Sequence, residues 1–177
     1  MTEDAAYRAT AIGEAYARIE RLPVTVLLDN VRSLYNVGAF FRTADAVRAA
    51  SIVLAGITPT PEDPRIAKTA LGAERSVSWS TAADATAAID GLHARGFEIA
   101  AIETSLHAVD LFDWHPRFPV CVVFGHEVDG IAPALLERCD VHVRIPTLGT
   151  KGSINVATAG GVVLYELLRK YRDLARA

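Results

Sequence analysis

The sequence predicts an α/β domain in which a mostly parallel sheet is covered by helices on both faces. Short apolar, β-branched runs recur along the chain, and segments of helical character lie between several of them. That alternation is what parallel strands joined by crossover helices produce. A length of 177 residues, 51% of them hydrophobic, fits a single domain that buries most of the surface its unfolded chain exposes. No internal repeat or low-complexity tract interrupts the pattern.

Residues 5–20 are rich in alanine with scattered Arg and Glu, and read as a helix that stops before Pro23, because the residue before proline avoids helical angles. They form a helical extension over 1–22, with the main domain expected over 23–177. Strands are expected at 24–29, 51–56, 97–103, 120–125 and 141–146, with a weaker run at 77–80. Helices are expected at 37–50, 82–95 and 133–139, the last opened by Pro133, which suits a helix's first turn. Residues 57–76, with Pro59, Pro61 and Pro64, read as a loop that reaches the polar cluster Lys68, Glu74 and Arg75.

A long final helix is expected over 155–175. Val156, Gly160, Val163 and Leu167 lie roughly along one stripe, and Arg169, Lys170 and Arg172 sit near its end, where basic side chains complement the helix dipole. Gly160 and Gly161 each cost such a helix about 1 kcal/mol relative to alanine. Something close by must need the missing side chains: another helix, for instance from a partner subunit, or the domain's own sheet.

A formal net charge of -3 argues against a protein that clings to nucleic acid through bulk positive charge, so any such contact must be local. Cys121 and Cys139 lie in neither a disulfide-dense nor a zinc-type spacing, which points to a reducing compartment and no metal. The N-terminus lacks a basic start followed by an apolar run, and no stretch is apolar enough to span a bilayer. A cytoplasmic protein with no membrane association is expected.

Three segments could carry chemistry. Asn30 and Asn36 flank the end of the first strand and Arg42 follows in the next helix; ligands of open parallel sheets collect at such strand ends. Their amides could position a backbone or ribose and the arginine a phosphate, or they could serve as a helix cap and a surface residue. In the second segment, residues 122–130, a buried-looking strand runs into two glycines, Gly125 and Gly130, framing an acidic turn with Glu127. Backbone there could approach a ligand closely, or the segment could be an ordinary strand-to-helix turn, with His126 a base or a structural residue. The third, residues 145–155, is a flexible loop leading to Ser153 and Asn155, which could be helix caps, ligands or both. No dinucleotide-binding G-x-G-x-x-G, no phosphate-binding G-x-x-x-x-G-K-[ST] and no hydrolase G-x-S-x-G is present.

Taken in order, Asn30-x5-Asn36-Val37-Gly38-x3-Arg42, Phe124-Gly125-x-Glu127-x2-Gly130 and Ile145-Pro146-x2-Gly149-x3-Ser153-Ile154-Asn155-Val156, with Tyr165-Glu166 in the last helix, resemble the SpoU (TrmH-like) RNA methyltransferases. The resemblance covers roughly residues 24–170. It implies an α/β domain with a C-terminal trefoil knot, a feature that spacing alone would never suggest, and a homodimer formed through the knot region. It also implies that S-adenosylmethionine is held largely by backbone groups at Gly125, Ile145 and Ile154, with Phe124, Leu148 and Thr104 in the same pocket.

By the same resemblance Arg42 activates a ribose 2′-hydroxyl of RNA, with Asn36, Glu127, Ser153 and Asn155 around it. A guanidinium does not give up its proton in a protein, so Arg42 is better read as a phosphate anchor and charge stabiliser than as a base. The resemblance favours tRNA over rRNA, since the catalytic domain, the N-terminal helix and basic residues such as Arg32, Arg65, Lys68, Arg75, Lys151 and the C-terminal group Arg169, Lys170 and Arg172 would have to recognise the RNA themselves. Three alternatives stand beside this reading: a non-catalytic knotted RNA-binding or assembly protein, an enzyme that methylates a base instead of the ribose, and an unrelated nucleotide-binding α/β domain.

Overall fold

The computed structural model describes residues 20–174. The helix expected at the N-terminus therefore lies outside the described residues, up to residue 19. Seven strands, β1 (Leu22–Asp29), β2 (Ala49–Ala55), β3 (Trp79–Ala82), β4 (Glu98–Ile102), β5 (Val109–Asp110), β6 (Val120–Phe124) and β7 (Val141–Arg144), form one sheet. Their order is β3-β2-β1-β6-β4-β7-β5, and every pairing is parallel.

Among the described residues five α-helices cover the sheet: α1 (Leu34–Ala46), α2 (Pro64–Ala70), α3 (Ala85–His93), α4 (Pro133–Leu136) and α5 (Val156–Leu174). The alternation of side chains along β6 shows how both faces are used. Val120, Val122 and Phe124 enter one core with Phe40, Phe41 and Ala44 of α1, Ile66 and Ala70 of α2, and Val163, Leu164 and Leu167 of α5. Cys121 and Val123 enter the other, with Ala85, Ile89 and Leu92 of α3 and Leu135 of α4. All five β6 side chains are buried, as expected of a central parallel strand covered on both sides.

The expected strands are all present with shifted ends, and two differences have clear local causes. Residues 57–76 are not loop throughout. Asp63 caps α2 by accepting a hydrogen bond from the Arg65 amide, Pro64 occupies the first turn, and Leu71 ends the helix in the left-handed conformation (φ 53). A short 3-10 turn at Ala73–Arg75 follows. The first domain helix starts three residues before the expected 37 because Ser33, not Asn36, is its cap; the Ser33 hydroxyl accepts from the Asn36 amide at 3.3 Å. It stops at Ala46, and residues 49 and 50 already belong to β2. The two-residue β5 was not foreseen, being too short to leave a pattern.

Gly160 makes room for another helix of the same chain. A Cβ there would lie 2.2 Å from the Phe40 ring of α1, and that ring packs on Phe124 of β6 with centroids 4.9 Å apart. The missing side chain lets α5, α1 and the central strand stack. A Cβ on Gly161 would meet nothing within 4 Å. Gly160→Ala is therefore expected to destabilise the fold by about 1–3 kcal/mol through overpacking, whereas Gly161→Ala is expected to be neutral or to stabilise by up to about 1 kcal/mol. Urea denaturation of both variants separates them; equal effects would contradict the close α5–α1 contact.

Candidate active site

Four strands deliver their carboxyl ends to one edge of the sheet: β1, β4, β6 and β7. Beyond them opens a cleft of about 570 Å³, lined in part by Thr104 after β4, Phe124 and Gly125 at the end of β6, and Ile145 after β7. A second cleft of about 460 Å³ adjoins it, lined by Arg32, Ser33, Asn36, His126, Glu127 and Val128. Glu127 lines both.

The turn after β6 is closed on itself. His126 and Gly130 exchange backbone hydrogen bonds at 3.0 and 2.9 Å, and a Cβ on Gly125 would lie 2.3 Å from the Gly130 carbonyl oxygen. Gly130 itself sits at φ +69, where a side chain would also strike the Glu103 carboxylate. Only glycine at both positions lets the strand fold back this tightly. His126 stabilises the turn: its Nδ1 accepts from the amides of Val128 and Asp129, both at 3.2 Å. A nitrogen that accepts two amides presents a lone pair, so the Asp129 carboxylate 3.1 Å from it is not an ion pair. His126 thereby takes the structural one of its two roles.

Glu127 projects from the turn and gathers the segment after β1. Its carboxylate accepts from the amides of Arg32 (3.1 Å) and Ser33 (3.0 Å) and from the Asn36 side-chain amide (3.0 Å). Asn36 has then spent an N–H on Glu127, and its carbonyl oxygen accepts from the Asn155 side-chain amide at 3.2 Å. Asn155 turns its own carbonyl oxygen to the amides of Ala157 and Thr158, capping α5. One directional chain of hydrogen bonds thus joins all three predicted segments. Burial would raise the Glu127 carboxyl, but the bonds from Ser33, Arg32, its own amide and Asn36 outweigh it and hold the group below the usual carboxylate value.

Of the residues singled out in the sequence, Thr104, Phe124, Gly125, Glu127, Ile145, Ser153, Ile154 and Asn155 all line the larger cleft, and Asn36 the smaller. Two are not brought in. Leu148 is fully exposed at the tip of its loop, and Arg42 lies on α1, exposed, outside both linings and without a partner among the described residues. Sequence reasoning missed the amides of Arg32 and Ser33 as the seat of Glu127; backbone donors leave no mark on residue type. Among the basic residues expected to face RNA, Arg65 is paired with Asp63 at 2.6 Å, and Arg169 is held by Glu166 and Asp173. Lys170 donates to the carbonyls of Phe112 and Trp114. Arg32, Arg42, Lys68 and Lys151 make no side-chain bond among the described residues.

The seat of Glu127 carries a sign with pH. Its folded value lies below the unfolded one, so its stabilisation is complete above about 4.3 and is lost as the pH falls through the folded value. The stability gap between wild type and Glu127→Gln should therefore close as the pH drops from about 7 to about 3 in urea denaturation. A gap that stays constant would remove the carboxylate from this role.

Residues 23–165 match the SpoU rRNA Methylase family. The 23S rRNA (guanosine-2′-O-)-methyltransferase RlmB of Pseudomonas syringae pv. tomato is 30% identical over 159 residues, covering 90% of this chain and 63% of that protein. The SpoU methyltransferase AviRb from Streptomyces viridochromogenes, solved in complex with the cofactor AdoMet, is similar at a TM-score of 0.78 and 25% identity, covering 90% of this chain and 62% of that one. The A. aeolicus TrmH/SpoU tRNA modifying enzyme is similar at a TM-score of 0.80 and 26% identity, covering 88% and 79%. This chain spans 60% of the length of one curated relative and 63% of another. A match running from β1 into α5 takes in every strand of the sheet, and the chain belongs to the SpoU methylase family.

Proposed function

We propose that this chain is an RNA methyltransferase that transfers the methyl group of S-adenosylmethionine to a ribose 2′-hydroxyl, preferring tRNA over rRNA. The observation that carries the reading is the Glu127–Asn36–Asn155 chain, which locks a glycine-walled cleft to a second, open cleft at the carboxyl edge of the sheet. The resemblance to an A. aeolicus tRNA modifying enzyme, of which this chain covers 79%, supports the tRNA preference. We further propose that it acts in the cytoplasm as a homodimer, with the C-terminal chain threaded as a knot.

The larger cleft fits the donor. Its volume of about 570 Å³ falls within the roughly 300–1,000 Å³ of small-molecule sites. Its walls combine an unusually close backbone turn at Gly125 with aliphatic side chains at Ile145 and Ile154. Gly125, Ile145 and Ile154 would hold the donor through backbone groups, flanked by Phe124 and Thr104, with Leu148 closing over it from its exposed loop. When bound, S-adenosylmethionine supplies an electrophilic methyl group.

The protein's own task is alignment and charge. Holding an oxygen in line with its electrophile can supply as much as about 7–11 kcal/mol of barrier reduction. Asn36 and Asn155 each spend one amide proton within the chain and keep a second for the incoming nucleotide. Ser153, exposed at the cleft, offers a hydroxyl to the same substrate. Arg42, exposed and without a partner among the described residues, anchors a phosphate of the RNA and stabilises the charge that develops on the ribose oxygen, whose proton leaves to that phosphate or to water.

The test is to incubate the protein with tRNA and, separately, rRNA and labelled S-adenosylmethionine, then to identify methylated nucleosides by mass spectrometry after digestion. Label on ribose 2′-oxygen in tRNA is expected; label on a base would overturn the reading, and binding of RNA without binding of the donor would favour an assembly protein. Arg42→Lys keeps a charge but loses the two-pronged phosphate contact. It should reduce turnover about 100-fold with the donor's Kd unchanged, and near-normal turnover would defeat the role given to Arg42.

A further inference from the structure

Ser105 follows Thr104 in the loop between β4 and β5 and lines the larger cleft. Its hydroxyl lies 2.9 Å from Nδ1 of His142, a half-buried residue of β7. The other ring nitrogen of His142, Nε2, lies 3.0 Å from the Leu136 carbonyl oxygen at the end of α4. His142 lines neither cleft and belongs to none of the three segments that make up the site.

The chemistry of these partners fixes where the protons are. A carbonyl oxygen carries none, so Nε2 must donate to Leu136. When the ring is neutral, its proton on Nε2 leaves only a lone pair on Nδ1, and Ser105 then donates its single proton to His142. A serine hydroxyl normally rotates to suit whatever it meets. This one cannot: its proton is committed to the protein interior, and its oxygen offers only lone pairs to the cleft. A ligand group at Ser105 must therefore be a hydrogen-bond donor.

We propose that Ser105 is a donor-binding residue for S-adenosylmethionine, accepting a hydrogen bond from an amine or hydroxyl of the ligand, and that His142 is the positioning residue that fixes Ser105 as an acceptor. The inference rests on the cleft's being the S-adenosylmethionine site. It adds a polar side chain to a pocket read as holding its ligand through backbone groups, and it gives the strand β7 and the helix α4 a role in binding through a relay from the Leu136 carbonyl to the cleft.

The test is equilibrium calorimetry with S-adenosylmethionine and its demethylated product, on the full chain. Loss of one net hydrogen bond should weaken both by about 3- to 10-fold in Ser105→Ala. His142→Leu should weaken them by a similar factor, because the freed hydroxyl can then turn its proton into the cleft. His142→Asn places an amide oxygen near the Nδ1 position and should restore most of the affinity. If the two residues act as one device, the double variant Ser105→Ala/His142→Leu binds no worse than the weaker single variant. A merely structural role for His142 would instead give additive losses and no rescue by asparagine, and that result would overturn the relay. If His142→Leu does not fold, Ser105→Ala and His142→Asn still decide: unchanged affinity in Ser105→Ala defeats the proposal. Failure of the wild type to bind either ligand would overturn the donor-site reading as well, whereas wild-type binding with an indifferent Ser105→Ala overturns this inference alone.

Discussion

A carboxylate can only accept hydrogen bonds, and the site is organised around that restriction at Glu127. Seated on the amides of Arg32 and Ser33, it leaves Asn36 no choice but to present its N–H. The orientation then passes along: Asn36 accepts from Asn155, and Asn155 turns its oxygen to the first amides of α5. Each amide in the series has two possible orientations in isolation and one in context. The loop after β1, the turn after β6 and the start of the last helix are thereby fixed to one another, though they lie far apart in sequence.

The sheet makes that arrangement possible by bringing the loops to the same edge. With every strand parallel, the carboxyl ends of β1, β4, β6 and β7 face one way, and the loops that follow them must meet there. The two cores hold the strands in register from both sides. On the α1 side the contact is close enough to dictate residue size: Phe40 fills the space where Gly160 has no side chain and reaches Phe124, directly before the glycine turn. The packing of α5 and the geometry of the cleft are therefore not independent. At the opposite end of β4, buried Glu98 accepts from Trp114 and Arg117 and ties the segment before β6 to the sheet, away from the clefts.

Two histidines show how a titratable side chain can be absorbed by structure. His126 sits within the glycine turn, where a proton-accepting role in catalysis would be easy to assign, yet its Nδ1 is occupied by two backbone amides. His142 lies outside both cleft linings and acts through Ser105, with its proton on the far nitrogen set by a carbonyl. In both, the partner atoms decide the role and the residue type does not.

Fold class was legible in the residues, because burial on both faces forces near-continuous apolar strands, and helix crossovers between parallel strands leave their own periodic record. The sequence also marked three short segments that the fold joins, through glycines at Gly125 and Gly130 and polar residues at Asn36, Glu127 and Asn155. It missed α2, whose Asp63–Pro64 start was masked by surrounding prolines, and β5, only two residues long. Tertiary structure alone decided what the marked residues do to one another. Hydrogen-bond direction, the backbone seat of Glu127 and the Phe40 contact of Gly160 depend on atoms distant in sequence, and backbone partners have no side-chain identity to read. It also separated Arg42 and Leu148 from the cleft linings, since the exposure of a helical or loop residue follows from what packs beside it and not from its spacing in the chain.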